Sequence, residues 1–209
     1  MNTKADNILD GLWVWPADQK ADKFCEEPTM VVTDFEDAQD LNRKIYDRIL
    51  ELEEEGSLVH TFANAGSKVR HVHKWGCPEA DFLEERVKYL FEYLTGRKAR
   101  IDLGWANVNR KYNYLAGHSH LGTLASIVYM LEPGDPPTEE YPLSGRLSFL
   151  DPRIPACCPD EPDRLTLEVH ADMRAGTMVM FPAWVVHQVH PYFGDKTRIT
   201  LAWNVNPAD

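Results

Sequence analysis

Beyond residue 98 the chain becomes a succession of short β-prone runs separated by turn residues, and this limits its fold more than any other feature. Stretches rich in Val, Ile, Thr, Leu and aromatics occupy 100–109, 124–131, 146–150, 165–170, 177–181, 185–189 and 197–205. Seven such runs in about 110 residues fit a sandwich or barrel better than alternating βαβ units. Two amphipathic helices are expected before them. Over 37–55, Leu41, Ile45, Ile49 and Leu52 recur on a helical period, with Thr33 or Asp34 as cap and Gly56 as stop. Over 79–95, Leu83, Val87, Leu90, Phe91 and Leu94 form a second stripe, and Gly96 ends it. The expectation is one domain over 1–209, mainly β with flanking helices. A helical N-terminal layer (1–98) packs on a double-sheet β core (99–209). The long Pro-rich stretches 133–144 and 151–163 read as lids or binding loops.

Composition excludes several function classes. With 44 % hydrophobic and 26 % charged residues the chain is neither disordered nor fibrous. Its net charge of −11 argues against a nucleic-acid or anionic-membrane partner. That charge is uneven: residues 1–60 hold 15 acids and 6 bases, and residues 61–209 hold 18 and 16. A small anionic ligand therefore remains allowed in the second part. Cys25, Cys77, Cys157 and Cys158 are too few for a disulfide scaffold, and no CxxC spacing exists for zinc. No apolar run is long enough to span a bilayer, and the N-terminus lacks the apolar core of a signal peptide. A cytoplasmic location is expected, and a homodimer is allowed.

Three of the eight histidines stand out by position. His118 and His120 form H-x-H, and in an extended segment side chains two apart point the same way. His187 ends the apolar run GTMVMFPAWVV and would bring a third imidazole from another strand. Three protein ligands on one face leave open positions on an octahedral metal, as an oxygen-activating Fe(II) centre needs. Farther on, Arg198 and Thr200 share a strand face. A guanidinium and a hydroxyl side by side make a carboxylate receptor, costly in a β core unless an anion completes it. A metal for one end of a dicarboxylate and an arginine for the other is the geometry for 2-oxoglutarate. His190, before Pro191, reads as exposed. The pair His71 and His73 lacks a further ligand at suitable spacing and reads as a half-exposed strand or substrate-side wall.

The blocks WANVNRKYNYLAGHSHLGTLASIVYML, GRLSFLDPR and AGTMVMFPAWVVHQVHPYFGDKTRITLAWNV resemble the Fe(II)/2-oxoglutarate-dependent oxygenases over about residues 103–206. The similarity is to small bacterial and phage members with H-x-H, FP-x-W-x-x-H and R-I-[ST] blocks. It implies a double-stranded β-helix, the jelly roll or cupin-like core. It implies Fe(II), 2-oxoglutarate and O₂ as cofactors, with His118 and His187 as iron ligands. Arg198 and Thr200 match the groups that hold the distal carboxylate of 2-oxoglutarate. Tyr129 matches a tyrosine that contacts the same carboxylate, and Asn107 an asparagine that helps hold the cosubstrate. No catalytic residue beyond the metal centre is implied. The implied chemistry is decarboxylation to succinate and CO₂ with a ferryl-oxo unit that abstracts hydrogen from substrate.

The chain departs from the common H-x-D or H-x-E pattern, because His120 stands where a carboxylate is usual. Two alternatives therefore stay open. One is a three-histidine iron dioxygenase that uses no 2-oxoglutarate. The other is a non-catalytic jelly-roll binding module. The first expectation is a dioxygenase that hydroxylates a small molecule: an amino acid, a peptide or a natural-product intermediate.

Overall fold

The computed structural model describes residues 8–26, 29–60, 64–150 and 168–208. A hairpin of β1 (Ile8–Leu9) and β2 (Leu12–Trp13) opens the chain, followed by β3 (Asp22–Glu26), β4 (Thr29–Asp34) and helix α1 (Gln39–Glu54). Next come β5 (Val59–His60), β6 (Ser67–Arg70), a 3₁₀ turn at Val72–Lys74 and helix α2 (Pro78–Thr95). The remainder is β7 (Ala99–Asn109), β8 (Leu115–His118), β9 (Ala125–Glu132), β10 (Leu147–Leu150), β11 (Glu168–His170), β12 (Thr177–Pro182), β13 (His187–Val189) and β14 (Arg198–Pro207).

Apart from the β1–β2 hairpin, these strands form two antiparallel sheets in a jelly-roll arrangement. The major sheet runs β3-β4-β12-β9-β14-β7-β6-β5, and the minor sheet runs β11-β10-β13-β8. Both helices cover one face of the major sheet. There Ile45, Ile49, Leu83 and Phe91 pack with Val108, Leu201 and Trp203, all at most 1 % exposed. Full burial of side chains of this size stabilises by roughly 1.5–3 kcal/mol each. On the opposite face Val179 and Phe181 of β12 meet Leu147 and Phe149 of β10 in a smaller apolar cluster. The central strands are thus buried on both faces. Ile199, Leu201 and Trp203 of β14 point to the helices, and Arg198, Thr200 and Ala202 point between the sheets.

The N-terminal layer is more than helical. Residues 1–98 supply β3, β4, β5 and β6 to the major sheet. These strands are short and lie toward the sheet's two edges, and no long alternation marks them. Helix α1 also starts otherwise than expected: its N-cap is Ala38, without a side-chain cap. Thr33 and Asp34 close β4 instead, and Asp34 accepts a hydrogen bond from Thr177 of β12. Gly56 and Gly96 do end the helices, with φ of +75° and +68°. The loop 151–163, Cys157, Cys158 and the start of the 165–170 run lie outside the described residues. No helix among the described residues is long and apolar enough to cross a membrane.

Candidate metal centre

The minor sheet brings two of the three histidines together. β8 and β13 are neighbours, and His118 stands directly opposite His187 in their register. His120 lies past the end of β8, and its backbone N–H donates to Ala183 O at 2.9 Å. The H-x-H unit is therefore half strand and half turn. Ring centroids are 4.3 Å apart for His118 and His187, 5.1 Å for His118 and His120, and 5.2 Å for His120 and His187. Each ring offers one nitrogen, and all three nitrogens lie within 4.8 Å of one another. This is the one such cluster of potential metal ligands among the described residues.

Two of the rings are held in a defined tautomer. His118 Nδ1 lies 2.9 Å from Ala116 O, and His187 Nδ1 lies 3.0 Å from Val185 O. A carbonyl only accepts, so each proton sits on Nδ1 and the Nε2 lone pair is free for a metal. Burial pushes all three imidazoles down from their ordinary range. His187 falls to about 3 and His120 to about 4, each lowered further by the neighbouring rings, and His118 is also lowered. All three are neutral near pH 7, the state a metal requires.

The other end of the same cavity is cationic. Arg198, Thr200 and Asn107 line it together with the histidines. Arg198 is 3 % exposed, and burial lowers its guanidinium to about 10. Among the described residues its side chain has one hydrogen bond, a long one of 3.4 Å to Asn109 Oδ1. Asn107 sits opposite Thr200 across β7 and β14 and donates to Thr200 Oγ1 at 3.2 Å. Trp105 Nε1 donates to Asn107 Oδ1 at 3.1 Å and so orients that amide. With its oxygen already accepting, Thr200 keeps its O–H to donate elsewhere. Ser126 Oγ of β9 is buried in the cavity wall without a partner among the described residues. A buried guanidinium short of acceptors, a poised hydroxyl and an orphaned hydroxyl form a donor set that suits a carboxylate. Ser126 carried no signal in the sequence beyond its place in a β-prone run.

Tyr129 corrects the expectation drawn from the resemblance. It points to the helix side of the major sheet, is fully buried there, and donates to Asn42 Oδ1 of α1 at 2.6 Å. The cavity-facing residues of β9 are Ser126 and Val128. Burial raises the Tyr129 phenol well above its ordinary range. The residue ties α1 to the sheet and cannot reach a carboxylate beside Arg198.

The remaining histidines are elsewhere. His190 is part-buried and joins Ser148 Oγ and Glu168 Oε2, each at 2.8 Å, where exposure was expected. His71 has a left-handed backbone (φ +62°) and precedes the 3₁₀ turn that carries His73, so this pair is not in a strand. A roomier hollow of about 590 Å³ lies beneath the 133–144 segment and reaches Arg198 from another side, but no histidine lines it.

Residues 104–204 match the model of the family described as "Putative 2OG-Fe(II) oxygenase". No curated protein matches the chain. Similar solved structures include the non-heme alpha ketoglutarate dependent epimerase SnoN from nogalamycin biosynthesis, 18 % identical over 86 % of this chain and 78 % of that one, with a TM-score of 0.64. HygX from Streptomyces hygroscopicus, with nickel, 2-oxoglutarate and hygromycin B bound, is 13 % identical over 86 % and 83 %, TM-score 0.63. A prolyl hydroxylase from Trichoplax adhaerens, in complex with a hypoxia inducible factor peptide fragment, is 14 % identical over 84 % and 83 %, TM-score 0.61. At these identities the likeness is one of fold. The His118, His120 and His187 cluster fits an H-x-H…H pattern.

Proposed function

We propose that this Fe(II)- and 2-oxoglutarate-dependent oxygenase, with O₂ as its further substrate, hydroxylates a small molecule in the cavity between its two sheets. One observation carries the reading: three neutral imidazoles converge in the same cavity as a buried arginine that lacks an acidic partner among the described residues. His118, His120 and His187 would hold the iron. Arg198 and Thr200 would hold the far carboxylate of 2-oxoglutarate, and Asn107 orients Thr200 by the hydrogen bond it already makes. Ser126 supplies one more donor along the way. Bound together, iron and 2-oxoglutarate supply O₂ activation and two-electron oxidation, with succinate and CO₂ as coproducts.

The protein's own residues position and exclude. Phe181 packs against His187 with ring centroids 4.7 Å apart, which limits water on that side. The carbonyls of Ala116 and Val185 keep two rings in the ligating tautomer throughout. A small-molecule substrate is supported by the net charge of −11, which disfavours nucleic acid, and by the solved complexes of SnoN with nogalamycin RO and of HygX with hygromycin B. Arg198 and the family match weigh against a three-histidine dioxygenase without 2-oxoglutarate, and against a non-catalytic module.

Anaerobic titration of the Fe(II)-loaded protein with 2-oxoglutarate tests the reading. A metal-to-ligand charge-transfer band at one equivalent is expected. His187→Ala should lose both iron and band. Turnover of a substrate without 2-oxoglutarate, or failure of the native protein to bind iron, would overturn the proposal.

A further inference from the structure

The cavity wall carries a second cation that iron and cosubstrate leave without a task. Lys68 of β6 pairs in register with Asn107 of β7, and Asn107 pairs with Thr200 of β14. The three form one row across neighbouring strands, and all line the cavity. Two strand spacings separate the backbone of Lys68 from that of Thr200, about 10 Å. Arg198 lies at the Thr200 end of this row, and Lys68 at the other. The Lys68 ammonium stands 5.3 Å from the centroid of the Trp105 ring. Trp105 in turn leans on His120, with centroids 6.0 Å apart. Lys68 is therefore placed on the metal side of the wall, away from the carboxylate receptor.

Its charged surroundings are cationic rather than acidic. Lys44, Lys88, Lys98, Lys111 and Lys196 each face a carboxylate within 3.5 Å. Lys68 has no acidic partner among the described residues, and its charged neighbour is Arg70, another cation on the same face of β6. Burial and then Arg70 lower the ammonium from its ordinary range. A partly desolvated ammonium beside a guanidinium is unfavourable until an anion arrives. The two charges of 2-oxoglutarate are already committed to metal and Arg198. The lining near Lys68 is aromatic and aliphatic, with Trp105 and Leu115, while Arg70 is exposed and does not line it.

We propose that Lys68 anchors a carboxylate of the oxidised substrate, which makes the substrate a small organic acid with an apolar body lying along Trp105. This rests on the cosubstrate reading above, because it assigns 2-oxoglutarate to Arg198. Lys68 is then a specificity-determining residue that orients substrate over the His120 side of the metal.

The test uses protein loaded with redox-inert Zn(II) and 2-oxoglutarate. The probes are matched pairs: phenylacetate with phenylacetamide, 3-phenylpropionate with its amide, indole-3-acetate with its amide, and phenyl phosphate. Saturation-transfer NMR and competition titration give each Kd. The acids should bind at least tenfold tighter than their amides and than phenyl phosphate. Lys68→Met should reduce the acid preference below twofold, and Lys68→Arg should keep most of it. The 2-oxoglutarate Kd should stay within twofold in Lys68→Met. Acids that bind no better than amides, or a preference that survives Lys68→Met, would overturn the proposal. So would a tenfold loss of 2-oxoglutarate affinity in that variant, since the lysine would then serve the cosubstrate. If native protein takes up no 2-oxoglutarate, the oxygenase reading fails by itself, and the acid-against-amide comparison on Zn(II) protein still decides the role of Lys68.

Discussion

Replacing Arg198 by methionine should make the ligand-free protein more stable while it cripples cosubstrate binding. The side chain is 3 % exposed, and its one hydrogen bond, to Asn109, is long at 3.4 Å. A guanidinium lowered by burial to about 10 is disfavoured in its charged form by about 3 kcal/mol. The sign follows from the depressed value of a base. The cost is fully present below pH 10, hence at neutral pH, and fades only as pH rises above 10 toward the ordinary arginine range. Methionine removes that cost and gives up a weak hydrogen bond of roughly 0.5–1 kcal/mol. The net gain is about 2 kcal/mol, or about 4–8 °C in Tm for a chain of this length. In the complex the sign reverses, because loss of one partner of a buried charge pair costs roughly 2–5 kcal/mol. That corresponds to about 30- to 4,000-fold in Kd. Thermal unfolding with and without 2-oxoglutarate, together with the anaerobic charge-transfer titration, reads both effects. A ligand-free Arg198→Met protein that melts lower than native and binds 2-oxoglutarate within threefold of native would refute the reasoning.

Tyr129→Phe should lower stability by about 1–3 kcal/mol, because Asn42 Oδ1 is left buried without its donor. Its 2-oxoglutarate Kd should stay at the native value, and a selective loss of cosubstrate affinity would restore Tyr129 to the site. Glu84 is buried, accepts from Trp203 Nε1 at 3.0 Å, and has its carboxyl raised by burial. A raised acid contributes stability that is present below its unfolded pKa and lost as pH climbs through its folded value. Glu84→Gln should therefore gain stability relative to native between pH 4.5 and pH 7, as read by denaturant melts across that range. A constant difference across it would mean that desolvation does not govern this carboxyl.

The sequence carried the helices, most core strands and the three histidines that converge in the cavity, each for a local reason. Leu41, Ile45, Ile49 and Leu52 show a helical period because α1 has one buried face. His118 and His120 were legible because their spacing is short. What escaped depends on pairing between distant segments. β9 is buried on both faces, so no alternation marks Tyr129 as facing the helices. The register against β14 also shifts between Ile199 and Thr200, and a shift of that kind changes which residues share a face. Lys68 was invisible for a related reason. β6 spans four residues, and only its pairing with β7 sets Lys68 on the cavity wall while Ser67 and Val69 are buried. Arg198 stood out as a candidate carboxylate receptor because a cation in an apolar strand is rare enough to need an explanation.

The histidine at position 120 changes how the two ligands of the site should depend on each other. A carboxylate there would give Fe(II) a negative partner before any cosubstrate arrived. The described residues instead surround it with neutral rings, and the same cavity holds the cations Arg198 and Lys68. Iron alone therefore adds charge to an already positive cavity, and the 2-oxoglutarate dianion alone lacks its metal end. Each should bind weakly without the other and better with it. A coupling of roughly 1–3 kcal/mol, or about 5- to 150-fold, is expected. Linkage requires the factor to be the same in both directions. The Kd of Fe(II) measured with and without 2-oxoglutarate, and the Kd of 2-oxoglutarate measured with and without Fe(II), must give one ratio. Exchange of His120 for aspartate should shrink that ratio by strengthening iron binding in the absence of cosubstrate. Tight iron binding to the native protein alone, unchanged by 2-oxoglutarate, would mean that an acid from elsewhere in the chain completes the metal site and that His120 is not its third ligand.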